Sequence, residues 1–532
     1  MFSDSEKRTL AQFMTNIDKP IFVLKNLPEV VKGALFSRYS RTSKSLREVL
    51  LQDFIQASES GFKDIVNYGN DDTKSDVVAI KKAEEFYDRV LVGYGDDSVA
   101  ELAGVHIAIE DISNIAVKFI QDARLGISPL EKSTRYVYFD KKDEKGNWLY
   151  IKEQRIMESN FADDYIKTCD FLFETYSKLK DEVSSFVEEK YPQGEESERA
   201  YKSTIRAKTC DLLRGLLPAS TKTNMGAYGN GRAFEYLLAK MYSSDLVEIR
   251  VAAELMHDEL SKVIPSFVKR ANNAHGKELQ QYWKEIRNNM KHNNRIQAQV
   301  KDNFKLVNLI HYEKDYLDKL VCFVLFEHSN VSLDAISKTV REMPVQKKNN
   351  LLLDYIGNRK NRRQKPGRAF ENLYYTFDVC ANFGCYRDIQ RHRILTQQRQ
   401  FLTTENWYDL PNELVEGGFD EKFKDAMQMA DQAYKKIAKK MSEEAQYVVP
   451  FAYKLRWYMT MNLREAYHFC ELRSTQQGHI DYRRVAQQIY QQIKQVHPFV
   501  EMNVDMNEYG LERLEAEKKL DKKLEDINKK YH

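Results

Sequence analysis

A chain of 532 residues is too long for one ordinary core, and about two to four domains are expected. Apolar residues at 42% allow packed cores, while a net charge of only +3 excludes nucleic-acid binding through overall charge. No apolar run reaches the roughly 18 residues of a helical membrane span, and no apolar segment follows the charged start, so neither a span nor a signal peptide is read.

Helical patterns dominate the first half. Residues 7–16 form a short amphipathic start, Pro28 and Glu29 open a second helix, and 43–51 continues the pattern. Another helix is read at 81–91, followed by a turn at 93–98 with good capping residues. The β-branched alternation at 105–109 predicts a strand, and 114–123 a helix that stops before Arg124-Leu125-Gly126. A polar turn and short strand follow at 140–150, then one or two helices over 161–189, a loop at 193–198 and a helix at 207–216 that ends near Pro218. Residues 226–231 are glycine-rich, 233–241 and 246–263 are helical, and 271–300 is polar and partly helical.

In the second half, 315–326 and 349–356 are helical, and a basic loop occupies 357–368. The run at 372–379 predicts a strand, and a helix through Tyr386 and Arg387 leads to Arg391-His392-Arg393. Helices follow at 425–445, before Pro450, at 463–472 and at 482–496, with a charged, solvated helix at 511–531. Cys169, Cys210, Cys322, Cys380, Cys385 and Cys470 form no CxxC pair, so they read as reduced thiols of a cytoplasmic protein, and no Cys/His spacing indicates a metal site.

Two matches indicate an internal duplication. Arg214-Gly-Leu-Leu-Pro218, followed by Asn230-Gly231-Arg232, corresponds to Gln446-Tyr-Val-Val-Pro450, followed by Asn462-Leu463-Arg464, at an offset of 232. Ser128 corresponds to Thr396 at an offset of 268. The first copy therefore holds 36 extra residues between the two matches, for which the loops at 140–150 and 190–200 are the natural places.

Arg391-His392-Arg393, two residues and Thr396 resemble the opening of the signature of the flavin-dependent thymidylate synthases. That signature continues with Ser, four residues, Ser, one residue and Arg, and the first copy carries this other end as Ser128, four residues and Ser133-Thr134-Arg135. Gly95 to Glu101 looks like the family's turn-and-Glu element, with Asp96 where the family usually has His. Arg214, both Asn-x-Arg pairs and Leu472-Arg473 fall at family-like spacing, and the likeness covers most of 30–270 and 315–500.

The resemblance implies an α/β (α+β) fold, with a small, mostly antiparallel sheet flanked by long helices in each copy. The domains would be 1–270 and 304–510, joined by a polar linker at 271–303 and followed by a charged helical tail at 511–532. In the family, each deoxyuridylate site draws residues from neighbouring subunits. The losses here are complementary. The first copy has Ala123 and Met241 where the second has Arg391 and Arg473, and the second has Phe401, Thr403 and Gln446 where the first has Ser133, Arg135 and Arg214. One combination is complete and the reverse one is dead.

The complete combination is expected to bind dUMP through Glu131, Ser133, Thr134, Arg135, Arg214, Arg391 and Arg473. Arginine suits a phosphate dianion because its planar fork keeps its charge and bonds in pairs. Arg135 and Arg214 are assigned to the phosphate, and Arg473 is the catalytic residue, set against the uracil carbonyls. FAD is expected at Arg391, His392, Arg393, Asn230, Arg232, Asn462 and Arg464, because no GxGxxG follows a strand and a Rossmann flavin site is not supported. The implied reaction is reductive methylation of dUMP to dTMP with methylenetetrahydrofolate and NADPH, in a homodimer that mimics the family's tetramer. The alternative is a non-catalytic nucleotide- or single-stranded RNA-binding protein, for which the basic loop from Arg359 to Arg368 with its aromatic neighbours is the best feature. Taken singly, a basic triplet reads as a solvated helix end, Ser133-Thr134 as a cap and turn, and Asn-x-Arg as chance. Their joint order reverses those readings.

Overall fold

The computed structural model describes residues 2–56, 99–293 and 305–531. The helix expected at 81–91, the turn at 93–98 and Asp96 lie outside the described residues. The chain forms two compact units. One holds Met1–Ile112, Ala116–Lys132 and Thr223–Gln297, and the other holds Ser113–Ile115, Ser133–Lys222 and Ala298–His532.

The sheet of the first unit has three strands, β1 (Gly104–Ser113), β2 (Ile127–Glu131) and β3 (Lys222–Asn230), in the order β1-β3-β2. The glycine-rich run thus becomes a strand. Thr223, Met225 and Ala227 alternate inward along it, and a side chain at Gly229 would stand 2.4 Å from Ile127 Cδ1, so the glycine lets two strands close up. Asn230 then caps the helix Gly231–Tyr242 by accepting the Ala233 N–H at 2.8 Å. The stretch read as a polar linker contains the helix Ala274–Asn293, whose Trp283 meets Tyr236 edge-on at 5.4 Å.

The second unit has the sheet β4-β5-β7-β6, built from β4 (Val307–Tyr312), β5 (Tyr374–Asn382), β6 (Thr396–Arg399) and β7 (Lys454–Asn462). In β7, Leu455, Trp457, Met459 and Met461 alternate into the core. The helix Ile480–Val496 packs across β4 and β5, and Asp420–Ala438 packs along Ala162–Lys190. The strand expected near 150 is reduced to one bridge, Tyr150 with Thr221. The terminal helix Leu514–Tyr531 is not wholly solvated: Arg199 pairs with its Asp521 and with its buried Glu517.

The sheets carry the duplication. Orders β1-β3-β2 and β5-β7-β6 are the same, with β4 added at one edge. Ser128 pairs with Tyr228, and Thr396 pairs with Thr460. These two pairs map onto each other under the offsets of 268 and 232 that the sequence gives. Asn462 repeats the cap, accepting the Glu465 N–H at 2.8 Å to start Leu463–Arg473. The extra residues of the first copy lie in the turn at 140–150, in the greater length of Ala162–Lys190 and in the helix Glu198–Leu213.

Candidate active site

Six charged side chains of the second unit converge where the helices Glu198–Leu213, Phe383–Ile389 and Leu463–Arg473 end. Arg135 donates through Nε to Asp211 Oδ1 at 2.8 Å and through Nη2 to Oδ2 at 2.7 Å, a side-on bidentate pair. Its Nη1 reaches the Tyr482 hydroxyl at 3.3 Å. Arg214 donates through Nη1 to Asp388 Oδ2 at 3.2 Å, and Arg391 through Nη2 to Asp388 Oδ1 at 3.1 Å. Arg473 lies over the Tyr482 ring at 5.5 Å. Residues from both copies therefore meet within one chain.

Arg214 is held by a missing side chain. A Cβ at Gly384 would stand 3.3 Å from both Cζ and Nε of Arg214, so the guanidinium lies directly on the glycine at the start of the helix Phe383–Ile389. Among the described residues, its buried Nη2 has no hydrogen-bond partner. A buried, orphaned cationic nitrogen is costly unless a further acceptor arrives.

Electrostatics agree with the geometry. Burial raises both aspartates, but the neighbouring cations overcome it. Arg135, with His479 and Arg214, holds Asp211 down at about 2. Arg214, Arg391, Arg135 and Arg473 together hold Asp388 well below the usual carboxylate range. Four guanidinium groups thus gather around Asp211 and Asp388, with Asp481 and Glu512 also acting on the group.

His392 sits behind this cluster, 4% exposed. Its Nε2 accepts the Arg473 Nε–H at 2.8 Å, so its proton is on Nδ1, which lies 2.9 Å from Glu465 Oε1. Burial depresses its pKa to about 4. Both nitrogens of His392, expected among the FAD contacts, are thus engaged within the protein. His392, Glu465 and His468 place three metal-type donors within 4.8 Å. A cation there would need the Nδ1 lone pair, which the Arg473 contact leaves protonated.

The remaining expected residues are distributed as follows. Thr134 Oγ1 accepts from Arg387 Nη1 at 2.9 Å, and Ser133 Oγ accepts the Arg135 N–H at 3.2 Å, which makes Ser133 a turn residue as well as a neighbour of the cluster. Glu131 lies in the first unit, buried against Lys118 at 2.6 Å. Asn230 and Asn462 spend their side-chain oxygens as helix caps. Arg232 pairs with Glu101, and Arg464 with Glu371 and the Pro366 carbonyl. Arg391 and Arg393 are exposed. In the basic loop, Arg359 forms a buried bidentate pair with Glu471 at 2.7 Å rather than a free cationic tip. Gln446, at the position of Arg214, turns its Oε1 to the Leu402 N–H at 3.0 Å.

Sequence reasoning missed Asp211, Asp388, Tyr482 and Glu465. A signal for two of them exists: Asp211-x-x-Arg214 and Asp388-x-x-Arg391 put a carboxylate one turn before each arginine.

The sequence pattern of the Thymidylate synthase complementing protein family matches residues 50–266 and 309–499. A protein of Chlamydia muridarum (strain MoPn / Nigg), named UPF0159 protein, is 43% identical over 97% of this chain and 98% of its own length. The UPF0159 protein Ta1429 of Thermoplasma acidophilum is 33% identical over 91% of this chain and 97% of its own. A flavin-dependent thymidylate synthase of Pyrococcus abyssi is 32% identical over 136 residues, 23% of this chain and 55% of that protein. Among the described residues, no helix is long and apolar enough to cross a membrane. The chain belongs to the thymidylate synthase complementing protein family, that of the flavin-dependent thymidylate synthases, and carries the family's pattern twice.

Proposed function

We propose that the chain catalyses reductive methylation of dUMP to dTMP, with FAD as cofactor and methylenetetrahydrofolate and NAD(P)H as co-substrates. The observation that carries this reading is the charge of the cluster. Four arginines gather around Asp211 and Asp388, beside a buried Arg214 nitrogen with no hydrogen-bond partner among the described residues. A nucleotide monophosphate, with a charge of about −2 at neutral pH, suits such a cluster of arginines and supplies the acceptor. Family membership selects dUMP among the nucleotides.

In this reading Arg135 and Arg214 hold the phosphate, the first fixed by Asp211 and the second by Asp388. Arg473 faces the pyrimidine, where a cation favours the charge that builds as C5 becomes nucleophilic. Bound flavin would supply the hydride. Of the residues expected to hold it, Arg391 and Arg393 lie at the surface, where cations suit its diphosphate, while the two Asn caps and His392 support the site from behind. The copies 1–270 and 304–510 form one working combination, the reverse combination is inactive, and a homodimer reproduces a four-domain assembly.

Complementation of a thymidine-requiring strain tests the reading. Growth without thymidine is expected, together with yellow purified protein that binds dUMP. Soluble protein that neither rescues nor binds flavin or dUMP sinks it. Salt-dependent RNA binding by that same protein would favour the RNA-binding alternative.

A further inference from the structure

We infer that Glu465 is a positioning residue that aims Arg473 through His392, an assignment that rests on the dUMP reading for its consequence but not for its geometry. Glu465 begins the helix Leu463–Arg473, and Arg473 ends it. They lie too far apart along the helix to meet directly, so His392 links them from outside. The chain of contacts runs from Glu465 Oε1 to His392 Nδ1 at 2.9 Å, and from His392 Nε2 to Arg473 Nε at 2.8 Å.

The order of these contacts fixes the proton. A carboxylate only accepts, so Nδ1 carries the hydrogen. Nε2 is then a bare acceptor, and the best donor near it is the Arg473 guanidinium. With Nε held from behind and the plane resting on Tyr482 at 5.5 Å, the two Nη groups of Arg473 keep one direction. His468 Nδ1 lies 3.3 Å from Glu465 Oε2, and the Glu465 backbone is tied to the Asn462 cap, so the carboxylate is itself held. Phe469 covers the His392 ring at 4.7 Å. The groups that face His392 are Glu465 and His468 from its partner helix and Arg473 from that helix's end; each is engaged as described. The first copy has Ala233 at the position of Glu465, Arg124 at that of His392 and Met241 at that of Arg473, so all three members are absent together.

The test uses full-length protein labelled with 15N-histidine. The parent is expected to show the Nδ1–H tautomer of His392 at neutral pH. Glu465→Leu should lose that preference and weaken dUMP binding about tenfold, as removal of an orienting partner does. Glu465→Gln, whose amide oxygen still accepts the Nδ1–H, should keep the tautomer and bind dUMP within about threefold of the parent. An Nε2–H tautomer in the parent overturns the inference. So does an unchanged tautomer and dUMP affinity in Glu465→Leu. A parent with the expected tautomer, lost in Glu465→Leu, that binds no dUMP leaves the relay standing and removes the dUMP reading instead.

Discussion

Pro218 pairs with Pro450 across an antiparallel bridge, and the two prolines occupy the same position in the two copies. Around them the hydrogen bonds come in exchanged pairs. The Ala219 N–H donates to the Val449 carbonyl, and the Phe451 N–H donates to the Leu217 carbonyl, both at 2.9 Å. Ser220 to Tyr447 and Ala452 to Gly215, both at 3.0 Å, repeat the exchange one step out. A local two-fold axis thus passes between segments that differ in sequence, as an isologous contact does between identical subunits.

Arg135→Ala and Arg473→Ala are each expected to reduce dTMP formation by at least about a hundredfold, since each removes a cation from the anion site. Met241→Arg is expected to restore nothing. Met241 is fully buried, so the change should lower the unfolding midpoint by several degrees, as an unpaired buried charge does. Steady-state assays and thermal melts check both.

Gly384→Ala should weaken dUMP binding about tenfold while the unfolding midpoint stays near that of the parent. The added methyl group would stand 3.3 Å from the Arg214 guanidinium and 3.2 Å from Asn382 Oδ1, so the guanidinium must give way. Calorimetry of dUMP binding measures it.

Asp388→Asn should destabilise the chain by about 3 kcal/mol in urea unfolding, because it leaves two arginines facing each other without their carboxylate. Added dUMP should recover part of that loss.

Stability should fall as pH drops from about 6.5 toward 4, in part through His392. Its folded pKa of about 4 lies below the ordinary histidine value, so the unfolded chain takes up the proton first. The stabilising contribution of the neutral ring is complete above the unfolded value and is lost on acidification. His392→Asn should flatten the slope in that window, measured by urea unfolding at several pH values.

Arg359→Ala should lower the melting temperature by several degrees through the stranded Glu471 carboxylate, whereas Arg362→Ala and Arg363→Ala, exposed in the same loop, should not.

Much of this was legible in the sequence. Helices with strong apolar periodicity, such as Ala162–Lys190 and Ile480–Val496, lie where the pattern placed them. The offset matches that indicated the duplication agree with the register of the paired strands. β3 was hidden because its glycines remove the β-branched signal, although they are what the close strand contact needs. β7 was not read either, although Leu455, Trp457, Met459 and Met461 alternate along it. The arginines announced themselves by charge. Their aspartates were marked only by the spacing of Asp211-x-x-Arg214 and Asp388-x-x-Arg391, which surface helices also show.

The segment Ser133–Lys222 has a topological property of its own. It leaves one unit just after β2 and returns at the start of β3, and those strands are paired, with the Lys132 N–H donating to the Asn224 carbonyl at 2.8 Å. Its two ends are therefore already side by side, as in a cassette inserted into a host domain. Arg135, Asp211 and Arg214 all ride on that cassette. Two crossovers, one at each end of its neck, would transplant the whole first-copy share of the anion site, which makes this segment a natural unit of exchange among such fused chains.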